Sequence, residues 1–136
     1  MPQVKAFVAG FLSTLIFHQG MLALLHAADA NAPAPFNMTA TAPLQVPAVV
    51  SLAFWGGVWG VLLWWLIRTQ VGAAYWLRAL IVGALAPSLV AWFVVMPLKG
   101  MGMMGGWDPK IFVGALILNG AWGIGVALIM RGLQRL

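Results

Sequence analysis

Four long apolar stretches, Val4–Ala27, Pro47–Ile67, Tyr75–Leu98 and Ile111–Met130, take up most of the 136 residues, and the polar positions collect between them. Each is close to or above the ~20 apolar residues that a helix needs to cross the hydrocarbon core of a bilayer. The pattern predicts an all-α integral membrane protein with four transmembrane helices in a single membrane domain. Its outer loops are residues 29–46 and 99–109. The pair Asp108-Pro109 predicts the start of the fourth helix, since the carboxylate can cap it and proline fits the first turn. Pro87 predicts a kink in the third. Pro33, Pro35, Pro43 and Pro47 predict extended backbone around the first loop. That loop has eighteen residues, where two to eight is usual between packed helices. Its apolar residues Phe36, Met38 and Leu44 predict that it folds back on the bundle or meets a partner.

The second half of the chain repeats the first. Gly57-Val-Trp-Gly60 reappears sixty-three residues later as Gly120-Ala-Trp-Gly123, and Arg68 and Arg131 follow at the same spacing. Lys5-Ala6, Gly10, Leu12 and Leu25 fall on Arg78-Ala79, Gly83, Leu85 and Leu98. The reading is two tandem parallel helical hairpins, 4–68 and 77–131, related by a pseudo-two-fold axis along the membrane normal. Gly56, Gly57, Gly60, Gly120 and Gly123 are small residues of the kind that let helix backbones approach in lipid. With Trp59 and Trp122 they predict that the two G-x-W-G helices pack against each other near that axis.

Composition supports a bilayer setting. The chain is 63% hydrophobic and 7% charged, against about a quarter charged in soluble domains. Its net charge of +5 is a matter of placement. Lys5, Arg68, Arg78, Arg131 and Arg135 flank one face and Lys99 and Lys110 the other. The positive-inside rule then places both termini in the cytoplasm, and no nucleic-acid partner is expected. The first apolar run, followed by Ala-rich sequence, has the look of a secretory signal. It exceeds the usual 7–15 residues and has a repeat partner, so it reads as a retained span. Absence of cysteine excludes disulfides and thiolate chemistry.

The candidate chemistry is sparse. His18, Thr14, Ser88 and Asn119 form a predicted mid-membrane polar layer, in which ionisable residues face the bundle interior. One reading makes His18 and Asn119 interhelical glue; others give His18 a proton path, a metal or a tetrapyrrole. Met101, Met103 and Met104 with His26 are weak candidates for Cu(I), which thioethers favour; the alternative is a pliable apolar loop. Paired carboxylates, a nucleophile elbow and a phosphate loop are not found. No resident cofactor is expected, with copper and tetrapyrrole as alternatives.

Gly10-Phe-Leu-Ser-Thr-Leu15, Phe17-His18-Gln19, Met96-Pro-Leu-Lys-Gly100 and Asn119-Gly-Ala-Trp-Gly123 resemble uncharacterised four-helix bacterial inner-membrane proteins. The resemblance implies a bacterial inner-membrane location and supplies no activity. The expected function is a non-enzymatic accessory or assembly subunit that packs against another membrane protein or itself. The alternative is a small oligomeric transporter or channel using His18 and Asn119. Cysteine labelling tests the orientation: Ala40→Cys should react with an impermeant reagent added outside and Gly72→Cys should not. The reverse pattern would overturn it.

Overall fold

The computed structural model describes residues 1–29, 31–42 and 44–136, so Ala30 and Pro43 of the first loop lie outside the described residues. Helix α1 (Pro2–Ala28) is followed by the two-residue strands β1 (Ala40–Thr41) and β2 (Val46–Pro47), which pair antiparallel within the loop. Then come α2 (Ala48–Ile67), α3 (Gly72–Leu98), the short α4 (Met104–Trp107) and α5 (Pro109–Gln134). Among the described residues α1, α2, α3 and α5 are long and apolar enough to cross a membrane. The shortest has 20 residues, about 30 Å at 1.5 Å per residue, which matches the hydrocarbon core.

Local sequence sets the ends of these helices. Asp108 Oδ1 accepts from the Lys110 backbone N–H at 3.0 Å, and Pro109 takes the first turn, where its missing N–H costs nothing. The α2–α3 turn closes at Gly72, whose φ of +59° suits glycine. Two π turns interrupt the long helices, at Thr14–His18 in α1 and Ala91–Val95 in α3. The helix runs on through Pro87, and the irregular turn falls four residues later. Each π turn inserts one extra residue and rotates the face that follows.

Packing is closest within the sequential pairs α1–α2 and α3–α5. A side chain at Gly60 would run into the Ala6 carbonyl and Gly10 Cα; one at Gly123 would run into the Ala79 carbonyl and Gly83 Cα. Gly57 faces the Phe7 ring, and Gly120 faces Leu80. Bare backbone therefore meets bare backbone at both crossings, which gives dispersion contact without any solvophobic drive between helices.

The expected pairing of the two G-x-W-G helices is corrected here. Gly60 and Gly123 do not face each other, and α2 and α5 meet only marginally. A close crossing needs small residues on both partners. α1 and α3 supply them as Ala6-x-x-x-Gly10 and Ala79-x-x-x-Gly83. The main seam between the two pairs runs instead between α1 and α5. The buried core fills the half of the bundle nearest the termini, around Ala6, Leu63, Ile67, Ala79, Val126 and Met130.

Gly60→Leu and Gly123→Leu should each lower stability by about 1–3 kcal/mol, the usual range for overpacking a tight contact. Gly114→Leu is the control, since nothing lies within 4 Å of an added Cβ there. Thermal unfolding in detergent checks this, and equal behaviour of all three variants would sink it.

Candidate functional site

The polar side chains inside the spans divide into three small sets. On the α1–α5 seam, Ser13 Oγ donates to the Trp122 carbonyl at 2.7 Å, and Trp122 Nε1 donates back to the Gly10 carbonyl at 3.2 Å. Thr14 Oγ1 donates to the same Gly10 carbonyl at 2.9 Å. These groups are buried, so each bond replaces an unmet polar group in a medium with no water to answer it. Gly125 makes the seam possible, because a side chain there would strike Ser13 Oγ and the Phe17 ring.

The second set joins α5 to α3. Asn119 Nδ2 donates to Ser88 Oγ at 2.8 Å, with Ser88 fully buried. Counting sixty-three residues back, Asn119 falls on Gly56. Gly56 leaves its space to Thr14 Oγ1, whereas Asn119 fills the corresponding space with its own amide.

The third set is at the loop end of α1. His18 Nδ1 and Gln19 Nε2 lie 3.1 Å apart, and Gln19 Oε1 accepts from the Phe36 backbone N–H at 2.7 Å. Gln19 is buried. His26 Nδ1 lies 2.7 Å from the Ala32 carbonyl. The β1–β2 pair, Ala48 N–H to the Thr39 carbonyl and Val49 N–H to the Asn37 carbonyl tie the other end of the loop to the start of α2. The loop folds back on the bundle through its backbone. Its side chains do not follow: Phe36 is 49% exposed, Met38 66% and Leu44 80%. Phe36 and Gln45 have φ of +56° and +61°, a strained region for such residues.

The four residues of the expected polar layer are therefore not one cluster. Asn119 bonds Ser88, Thr14 bonds its own helix, and His18 bonds Gln19 rather than Asn119. The π turn over Thr14–His18 contributes to this, since it turns His18 out of line with Thr14. Trp59 is half-buried on α2 and Trp122 fully buried on α5, and both line one apolar cleft beside α3. Met101 and Met103 stand exposed, Met104 opens α4 with φ of +51°, and His26 is engaged with Ala32. Among the described residues no three His, Asp or Glu side chains converge as a metal site.

Sequence reading did not anticipate Ser13 and Gln19 as the joints of the structure. Both were visible as polar residues within an apolar run, but the groups they reach on other elements, the Trp122 carbonyl and the Phe36 amide, are main-chain atoms, which sequence patterns do not mark.

Gln19→Leu should release the loop while the bundle stays folded. Hydrogen exchange at the Phe36 amide should rise about fivefold, matching loss of a roughly 1 kcal/mol buried hydrogen bond. Unchanged exchange would show that the loop is held some other way.

Compared with protein-family models, with curated proteins and with solved structures, the chain finds no match.

Proposed function

We propose that the protein is a non-enzymatic accessory or assembly subunit of a larger complex in a bacterial inner membrane, with both termini cytoplasmic. The observation that carries this reading is the first loop. Its backbone is fixed to α1 by the buried Gln19 amide while Phe36, Met38 and Leu44 stand out from it. Ordering a segment costs about 1–2 kcal/mol per residue. A loop held this way with its apolar side chains outward is prepared for a protein surface, because the ordering cost is met before the partner arrives. The intramembrane polar groups support the same reading: Ser13, Thr14, Ser88 and Asn119 are spent on interhelical or main-chain bonds.

The reading includes two tandem helical hairpin repeats. Three pairs of contacts support it. Gly60 against Ala6 and Gly10 matches Gly123 against Ala79 and Gly83; Gly57 against Phe7 matches Gly120 against Leu80; and Gly56 beside Thr14 matches Asn119 beside Ser88 to within one residue. Apart from Ser88, one residue beyond the position that answers Thr14, each partner falls at the spacing of the sequence repeat, seventy-three residues for the first helices and sixty-three for the second.

Gentle purification of the tagged chain followed by native mass spectrometry tests the function. A stoichiometric second protein is expected, and Phe36→Ser with Leu44→Ser should reduce its recovery without unfolding the bundle. A homo-oligomer with no second protein would overturn this reading in favour of a small transporter. A copper ion or tetrapyrrole lost on His18→Gln would overturn it in favour of carriage.

A further inference from the structure

At the end of the bundle that carries both termini, Arg68, Arg131 and Arg135 surround a polar hollow of about 340 Å³ together with Gln70, Tyr75 and Gln134. Two of the guanidinium groups are held by rings. Arg131 lies 4.5 Å from the centre of Tyr75 and 5.3 Å from that of Trp76, and Arg68 lies 5.8 Å from that of Trp64. The chain has two acidic side chains, Asp29 and Asp108. One follows the end of α1 and the other caps the start of α5, so both are at the opposite end of the bundle. No acidic side chain of this protein answers the arginines.

Above the hollow, α2 and α3 part at a small apolar cleft of about 30 Å³ between Trp59, Leu62 and Leu66 on one side and Val82 and Ala86 on the other. Leu62 and Leu66 are exposed, so the cleft opens sideways, to lipid in a membrane. Arg78 crosses at its foot, where Nη1 donates to the Leu66 carbonyl at 3.4 Å. Apolar cleft and charged hollow thus share α2 and α3. The change from one to the other falls where α2 ends, at Ile67 and Arg68, which is headgroup depth for a helix that spans the bilayer.

We propose that the hollow holds the headgroup of one anionic phospholipid, its phosphate among Arg68, Arg131 and Arg135. Guanidinium groups match phosphate oxygens in geometry and charge, and basic pockets between membrane helices are suited to anionic headgroups. The hollow lies at headgroup depth, where the phosphates of anionic lipids are the anions at hand.

The full chain released from bilayers of mixed phosphatidylglycerol and phosphatidylcholine provides the test, with bound lipid counted by native mass spectrometry. One phosphatidylglycerol per chain should be retained in preference to phosphatidylcholine. Arg68→Gln and Arg135→Gln should each lower that preference about fivefold, the equivalent of roughly 1 kcal/mol per basic residue at a membrane surface. Circular dichroism confirms that each variant keeps its helices, and Arg135→Gln, at the last turn of the chain, decides the matter if Arg68→Gln does not fold. Equal retention of the two lipids, or a preference that survives both arginine changes, overturns the proposal. Displacement of the lipid by excess inorganic phosphate would make this a soluble-anion site and also overturns it.

Discussion

Everything in the bundle is arranged around the main chain at Gly10. From one side α2 presses its own glycines onto it, so that a Cβ at Gly10 would collide with the Gly56 backbone and approach Gly60 Cα at 2.9 Å. From the other side the Trp122 indole and the Thr14 hydroxyl both donate to the Gly10 carbonyl. One residue thus joins α1 to α2 by contact and to α5 by hydrogen bonding. Lipid offers no hydrophobic drive for helix association. Close backbone contact and satisfied polar groups are what remain, and Gly10 supplies both. Between α3 and α5, Gly83 receives Gly123 in the same manner.

The proposed repeat also explains where the molecule departs from two-fold symmetry. On that repeat the α1–α5 seam has a counterpart between α3 and α2. Gly10, Ser13, Trp122 and Gly125 would correspond to Gly83, Ala86, Trp59 and Leu62. Two of these replacements remove what closes the seam. Ala86 lacks the hydroxyl that Ser13 gives to the Trp122 carbonyl, and Leu62 puts a branched side chain where Gly125 leaves room for Ser13 and Phe17. The first seam is packed, and its counterpart stands open as the apolar cleft. On the proposed repeat, the changes at Ser13/Ala86 and Gly125/Leu62 are what separate the packed seam from the cleft.

Much of the architecture was legible in the sequence. The four apolar runs gave the four long helices, because span length is dictated by bilayer thickness. The start of α5 at Asp108-Pro109 was legible since capping is a property of adjacent residues. The partners of the glycines were not. A glycine marks a place of close approach without naming the helix that approaches, and G-x-W-G suggested self-pairing when the complementary small residues were Ala6, Gly10, Ala79 and Gly83. The polar layer failed for a related reason. Depth along a straight helix puts His18 near Asn119, but a π turn between Thr14 and His18 changes the direction of everything beyond it. Such a turn has no dependable sequence mark.

The two ends of the molecule are built on opposite principles. Near the termini the core is apolar and closely packed, and the charges lie outside it. Near the loops the helices carry the irregular turns, and order comes from polar ties between a loop and the helices beneath it. Packing of small residues cannot be undone locally, because backbone on backbone allows no rearrangement short of separating helices. Single hydrogen bonds can be exchanged one at a time at about 1 kcal/mol each. Loss of one such tie, as in Gln19→Leu, therefore leaves the glycine crossings in place. The loop end is held by bonds that can be removed singly, and the Gly10 and Gly83 crossings by contact that cannot.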